Sequence, residues 1–368
     1  MESKSIKIVT VIGARPQFIK AAALSHALKE KTHFEEVIVH TGQHYDSNMS
    51  DIFFKQLNLP EPKYKLNCGS LGHGAMTGLA LKEIETILVN EKPNILLVYG
   101  DTNATLAGAL AASKLHIPII HIESGLRSFD PLMPEEINRV LTDSVSSILC
   151  VPSQTGIENL KREGFPRYNT QEVINTGDIQ HDSTILFSNL NLQVNNELEE
   201  IIEDCKQTQY LVLTMHRPSN VDEKKKLAKI GELLKKISEK YRIILPIHPR
   251  TRQRIKDFEL NFNFLDIIEP VGYTDMLNLI KNSSGVITDS GGLQKESYYL
   301  KKNTVVLRNS TEWIELISNN SSILANEGSS PEKLILHLQK PVNNSTLNTY
   351  GDGKSSQKII EAIENFFA

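Results

Sequence analysis

The sequence predicts an α/β protein made of doubly wound parallel sheets and split into two domains. Three observations carry this. At 368 residues the chain exceeds the usual size of a single core. Apolar runs of strand length alternate with helical patterns from end to end. Those runs are apolar on both faces, which suits strands covered by helices on either side.

In the first half the expected strands are Ile6–Ile12, Glu36–His40, Ile95–Tyr99, Ile117–Ile122 and Ile148–Val151. In the second half they are Tyr210–Thr214, Arg242–Ile247, Asp266–Ile268, Gly285–Thr288 and Thr304–Leu307. The segment Asp222–Lys240 reads as a helix, because Leu227, Ile230, Leu233, Leu234 and Ile237 fall on one stripe. Its lysines 224–226 read as a solvated face. Helices are also expected over Ala104–Ala112 and Glu135–Ser147. The polar stretch 188–204 starts the second unit, which places a hinge near residues 170–185 and domains at 1–175 and 176–353. A terminal helix over 354–368 is expected to pack back on the first domain.

Composition narrows the class. Hydrophobic content of 40% and charged content of 23% are ordinary for a soluble globular chain. A net charge of -4 argues against nucleic acid as a partner. Cys68, Cys150 and Cys205 are few and widely spaced, as expected of reduced thiols, and no Cys/His spacing suggests a metal. No apolar run approaches the ~18 residues of a membrane span, and the N-terminus does not read as a signal peptide. The expected location is the cytoplasm.

The polar motifs cluster at strand ends, where open parallel sheets bind ligands. Thr288-Asp289-Ser290-Gly291-Gly292 joins a strand to a helix and can aim free N–H groups at an anion. Glu296 lies further along that helix, within reach of a ribose hydroxyl. A Ser-capped helix is the alternative reading of the turn. Gly13-Ala14-Arg15-Pro16 follows the first strand, with Lys20 in the helix behind it, so two cations can meet a diphosphate. The pattern is not GxGxxG, so a nicotinamide cofactor is not expected. Asp101 and Glu123 are carboxylates at two further strand ends. Glu135 and Glu136 open a helix, where one of them suits the dipole. An acid/base pair or an ion-pair network with Arg127 and Arg139 are the two readings of these carboxylates. His44, His216 and His248 are strand-end histidines without metal-ligand spacing.

The segments GARPQFIK (13–20), TGQH (41–44), GDTNATLAGALAA (100–112), HIESGLRS (121–128), PEEINRVLTD (134–143), MHRPSN (215–220) and TDSGGLQKE (288–296) occur in order along nearly the whole chain. Together they resemble the non-hydrolysing UDP-N-acetylglucosamine 2-epimerases. The resemblance implies a GT-B-like pair of Rossmann-type domains with the active site in the inter-domain cleft, a homodimer, a UDP-sugar substrate and no cofactor or metal. It implies that UDP is eliminated across C1–C2 to a 2-acetamidoglucal and then re-added, in the service of surface-polysaccharide synthesis. Asp101, Glu123 and Glu135 would be the catalytic carboxylates and His216 the functional histidine. Arg15, His216, Ser290, Gly291 and Gly292 would hold the diphosphate and Glu296 the ribose, with Lys20, His248 and Arg308 as further substrate contacts.

The segment Arg308-Asn309-Ser310-Thr311-Glu312-Trp313 and the stretch Gly69–Gly74 depart from the commonest pattern. They look more like the branch acting on UDP-2,3-diacetamido-2,3-dideoxyglucuronic acid. A second UDP-sugar site near Gln43 and His44 is a feature of some members. A hydrolysing epimerase, a glycosyltransferase and a silent UDP-sugar-binding protein are the other functions such a chain can have.

Overall fold

The computed structural model describes residues 5–42, 57, 59–189, 196–204, 209–342 and 348–368. Gln43, His44 and Cys205 lie outside them. The chain forms two compact units, Met1–Ser183 with Thr349–Ala368, and Thr184–Asn348.

The first unit runs β1 (Ile6–Ile12), α1 (Arg15–Lys29), β2 (Phe34–His40), β3 (Tyr64–Lys65), α2 (His73–Glu91), β4 (Ile95–Tyr99), α3 (Asn103–Lys114), β5 (Ile119–Ile122), α4 (Pro134–Val145), β6 (Ile148–Val151), α5 (Gln154–Arg162) and β7 (Glu172–Asn175). The strands make one 7-stranded parallel sheet in the order β3-β2-β1-β4-β5-β6-β7. Successive strands add outward from β1 in one direction and from β4 in the other. The crevice between β1 and β4 is therefore the point where chain order reverses. Val9, Val11, Leu96 and Val98 pack there beneath Ala104, Ala107 and Ala111 of α3. The alanines and Gly108 let α3 lie close: a Cβ on Gly108 would come 3.3 Å from Val98.

The helix α6 (Ile179–Asn189) carries the division between units. The second unit continues with α7 (Asn196–Asp204), β8 (Tyr210–Thr214), α8 (Pro218–Val221), α9 (Lys224–Ser238), β9 (Arg242–Pro246), α10 (Pro249–Asp257), β10 (Asp266–Ile268), α11 (Tyr273–Asn282), β11 (Gly285–Thr288), α12 (Gly291–Tyr299), β12 (Thr304–Val306), α13 (Ile314–Ser318), β13 (Ser322–Leu324) and α14 (Pro331–Gln339). Its sheet has 6 parallel strands in the order β10-β9-β8-β11-β12-β13, with the reversal between β8 and β11. The apolar stripe of α9 is buried as its periodicity requires, from Leu227 to Ile237, against Leu211, Leu213 and Leu245. The final helix, α15 (Ser355–Phe367), belongs to the first unit and packs on α1. Its first N–H groups are capped by a carboxylate: Ser355 and Ser356 N–H donate to Asp182 at 3.0 and 2.7 Å.

Most expected strands appear within one or two residues of their sequence-derived bounds. The long helix expected over Asp222–Lys240 begins later, at Lys224, because Pro218–Val221 forms a separate turn of helix before it. Cys68 and Cys150 are free, buried thiols, and burial pushes the Cys150 thiol up to about 12. Among the described residues, no helix is long and apolar enough to cross a membrane.

Candidate active site

In the first unit the candidate residues gather at the ends of β1, β4 and β5. Gln17 joins two of these ends. Its Oε1 accepts the N–H of Gly13 and Ala14 at 2.8 and 3.1 Å, and its Nε2 donates to Tyr99 O, at the end of β4, at 2.7 Å. Thr102 caps α3 through its side chain, accepting from Thr105 N. Gly100 has φ +61, which releases the chain from β4 into the Asp101 turn. Glu123 adopts φ +69, an uncommon backbone for a residue with a side chain. Its carboxylate lies over Gly100, where a Cβ would come 3.2 Å from Glu123 Oε2.

Each strand-end carboxylate has its own cation. Glu123 pairs with Lys20 of α1. Asp101 pairs with Arg139 Nη2 of α4 at 2.5 Å. Burial pushes the Asp101 carboxyl above its ordinary value, with Glu123 acting in the same direction and Arg139 and Lys20 opposing. The Glu135–Glu136 pair divides cleanly. Glu136 is buried and structural: it accepts from Ser128 N at 2.8 Å, Phe129 N at 3.2 Å and Arg139 Nη1 at 2.9 Å. Glu135 is exposed in the first turn of α4. Arg15 is exposed at the start of α1. Arg127 pairs with Asp143 and Glu163. Asp101, Glu123 and Glu136 are thus each ion-paired in this unit.

In the second unit the candidates gather across the β8–β11 reversal, where Thr214 Oγ1 and Thr288 Oγ1 lie 2.6 Å apart. Asp289 is fully buried and organises this end. It accepts the N–H of His216 at 2.9 Å and of Arg217 at 2.8 Å, and Asn220 Nδ2 at 3.1 Å. His216 Nδ1 lies 3.1 Å from its Oδ1. Burial works to raise the Asp289 pKa. The His216 and Arg217 hydrogen bonds outweigh it and leave the carboxyl below its ordinary value. Nδ1 of His216 is thereby committed to Asp289. The His248 ring lies 5.4 Å from that of His216, centroid to centroid. His248 Nδ1 accepts from Arg250 N at 3.1 Å. Its pKa is lowered, first by burial and then by His216 and Arg250.

Ser290 is the N-cap of α12 but makes no side-chain cap. Its own N–H is taken by Thr288 Oγ1 at 2.9 Å. The donors this turn could offer an anion are therefore the N–H groups of Gly291 and Gly292 and the Ser290 hydroxyl, rather than three successive amides. A Cβ at Gly291 would come 2.4 Å from Glu312 Oε1, the end of a flexible side chain that would have to move aside. Glu312 pairs in turn with Arg308 at 2.8 Å. Trp313 Nε1 donates to Gly291 O at 2.9 Å, and Lys295 Nζ sits 4.2 Å from the Trp313 ring centroid. Trp313 thus braces the turn. Glu296 is buried on α12. Past the ends of β8 and β12, a recess of about 230 Å³ is lined by Arg217, Lys226 and Arg308 with Asn220, Asn309 and Asn326, and by no carboxylate. Among the described residues, no group of three or more His, Cys, Asp and Glu is placed to hold a metal ion.

A family model described as UDP-N-acetylglucosamine 2-epimerase matches residues 26–364. The chain belongs to the UDP-N-acetylglucosamine 2-epimerase family. It is an epimerase acting on UDP-sugars, and its two parallel-sheet domains are of the GT-B-like class. A UDP-N-acetylglucosamine 2-epimerase homolog of Methanococcus maripaludis is 46% identical, over 98% of this chain and 100% of that one. The UDP-2,3-diacetamido-2,3-dideoxy-D-glucuronate 2-epimerase of Pseudomonas aeruginosa is 45% identical, over 97% and 99%. The crystal structure of the Methanocaldococcus jannaschii UDP-GlcNAc 2-epimerase in complex with UDP-GlcNAc and UDP is 41% identical and superposes with a TM-score of 0.77, over 98% and 99%.

Sequence reasoning about this epimerase missed Gln17, Asn138, Asp143 and Asp289. Asp289 carries the signal that singled out Asp101, a carboxylate directly after an apolar strand. Gln17 carried none, because its role is to bridge two loops distant in sequence.

Proposed function

We propose that the epimerase inverts C2 of UDP-N-acetylglucosamine by eliminating UDP across C1–C2 and adding it back to the 2-acetamidoglucal. The C2 proton is poorly acidic, and no GxGxxG motif offers a redox route. Departure of UDP supplies the driving force for its removal. The observation that carries this is the pair Asp101 and Glu123 on adjacent strand ends, each held by a separate cation and one with a raised pKa. Unequal environments are what an acid and a base on opposite faces of a sugar need. Glu135 would be the third carboxylate. The Gly291 and Gly292 N–H groups, Ser290, His216 and Arg15 would hold the diphosphate before and after its departure, Glu296 would take the ribose, and Lys20, His248 and Arg308 would complete the site.

NMR in deuterated water tests this. Wild type should exchange the C2 proton of UDP-N-acetylglucosamine and accumulate its 2-epimer. Glu123→Gln and Asp101→Asn should abolish exchange while UDP binding is kept. Exchange at wild-type rates in both variants sinks the acid/base assignment. A stoichiometric free sugar would show hydrolysis instead.

A second substrate is favoured by one observation. The recess past the ends of β8 and β12 has no carboxylate in its lining; Arg308 is paired with Glu312, and the remaining cations Arg217 and Lys226 suit a sugar carrying its own negative charge. UDP-2,3-diacetamido-2,3-dideoxyglucuronate, the substrate in the name of the Pseudomonas relative, is such a sugar. The enzyme acts in the cytoplasm for a surface polysaccharide on this reading. A homodimer is supported by an apolar patch on and before α4: Phe129, Leu132, Ile137 and Leu141 are 71%, 88%, 48% and 43% exposed.

A further inference from the structure

Behind the two strand-end carboxylates sits a histidine that no substrate can reach. His121, on β5, is 0% exposed. Its Nδ1 lies 2.6 Å from Asp143 Oδ1, and its Nε2 lies 2.7 Å from the Gly100 carbonyl oxygen. A peptide carbonyl can only accept a hydrogen bond, and an ionised carboxylate likewise. The carboxylate of Asp143 has every reason to be ionised. Its Oδ2 accepts from Arg127 Nη2 at 2.7 Å and from Gly125 N at 3.2 Å. Two acceptor-only partners require the ring to donate from both nitrogens.

We propose that His121 is a positioning residue: a buried imidazolium that clamps the turn bearing Asp101 to the strand bearing Glu123 and sets a fixed positive charge behind both carboxylates. The clamp point is Gly100. His121 bonds its carbonyl, its N–H donates to Ile122 O at 2.9 Å, and the Glu123 carboxylate lies over its Cα. The carbonyls on either side are held too, Tyr99 O by Gln17 at 2.7 Å and Asp101 O by Asn138 Nδ2 at 2.8 Å. Three successive carbonyls of the Asp101 turn are thus tied by side chains from α1, β5 and α4. Only the tie from His121 brings a charge.

The electrostatics of the cluster agree. The carboxylates of Asp101, Glu123, Glu136, Asp143 and Glu163 meet the permanent cations Lys20, Arg127 and Arg139. An imidazolium at His121 brings the balance closer to neutral. Burying a cation is costly unless it is paired and fully hydrogen-bonded, and His121 is both.

The inference rests on the acid/base roles proposed for Asp101 and Glu123, and two measurements separate the claims. Imidazole ¹⁵N–¹H correlation spectra of the full chain labelled at its 11 histidines should show one ring with both nitrogens protonated under the conditions of the activity assay, one proton in the bond to Asp143 and one in the bond to the Gly100 carbonyl. If no ring carries both protons under those conditions, the imidazolium is refuted without any variant. The second measurement is the pH profile of His121→Asn. With the charge gone, the carboxylates take up protons more readily. The acidic limb of kcat/KM should then move to higher pH by about one unit, and kcat should fall about 10-fold or more while KM stays within about 3-fold. A uniform loss at every pH with the limb unmoved makes His121 merely structural. Should His121→Asn not fold, the spectra of wild type and of Asp143→Asn decide, the latter losing its persistent doubly protonated ring. Failure of the acid/base reading looks different: Asp101→Asn and Glu123→Gln stay active while the doubly protonated ring is still seen.

Discussion

Replacing Asp289 by Asn changes one atom and asks what orients His216. Oδ2 of Asp289 faces three donors, the N–H groups of His216 and Arg217 and the amide of Asn220, whereas Oδ1 faces His216 Nδ1 at 3.1 Å and the His216 N–H at the same distance. The carboxamide oxygen therefore keeps the Oδ2 place and the NH₂ takes the other. There it donates to His216 Nδ1, and the ring proton moves to Nε2. A charge-assisted bond worth about 1.5–3 kcal/mol is exchanged for a neutral one worth about 0.5–1.5. The expected destabilisation is about 1–2 kcal/mol. The functional loss is larger, because the neutral tautomer can no longer be stabilised as a cation against departing UDP. On the roles proposed above, kcat for C2 exchange should fall about 100-fold or more. UDP affinity should change by less than about 10-fold, since Nε2–H still donates. Exchange NMR, calorimetric UDP titration and thermal unfolding read the three quantities. The Asp289 pKa is depressed in the folded chain. Its contribution to stability is thus complete above the unfolded value of about 3.9 and is lost as pH falls through the lower folded value. The stability gap between wild type and variant should accordingly close below about pH 4. A kcat within about 3-fold of wild type in a folded variant refutes the claim that Asp289 governs His216.

Gly125→Ala should lower the thermal midpoint markedly. Gly125 has φ +76 and a Cβ there would lie 2.7 Å from the Gly156 carbonyl oxygen, so left-handed strain and backbone overpacking together cost about 2–5 kcal/mol. An unchanged midpoint would show that the turn relaxes freely. Arg217→Ala should reduce kcat/KM for the 2,3-diacetamido uronic acid substrate about 10–100-fold more than for UDP-N-acetylglucosamine, the loss of one charged hydrogen bond. Equal losses remove the recess from sugar selection. Leu132→Glu, at an 88% exposed apolar position, should convert a dimer to monomer in light scattering with little change in midpoint. A wild-type mass in that variant places the interface elsewhere.

How much of this was legible in the sequence follows from how local each signal is. β1, β4, β8 and β11 could be read because a strand covered on both faces must be apolar throughout, and a five-residue run such as Ile95–Tyr99 says so without help. β3, β7 and β13 could not. Tyr64–Lys65, Glu172–Asn175 and Ser322–Leu324 pair on one side only and carry polar residues, so neither apolarity nor alternation marks them. The site divides along the same line. Ser290-Gly291-Gly292 was visible because glycines at a strand–helix junction advertise a turn. What the turn donates was not, since Thr288 claims the Ser290 N–H through a contact that depends on rotamer alone. Glu135 and Glu136 are indistinguishable as letters. Their roles separate because α4 turns Glu136 toward Ser128 and Arg139 and leaves Glu135 in solvent. His121 is the sharpest case: in the sequence it is one more residue of an apolar strand, and its charge is implied only once both of its partners are seen to be acceptors. A motif locates chemistry at a strand end, but the protonation state that makes it work is set by groups 20 or so residues away, which meet it only when the sheet has formed.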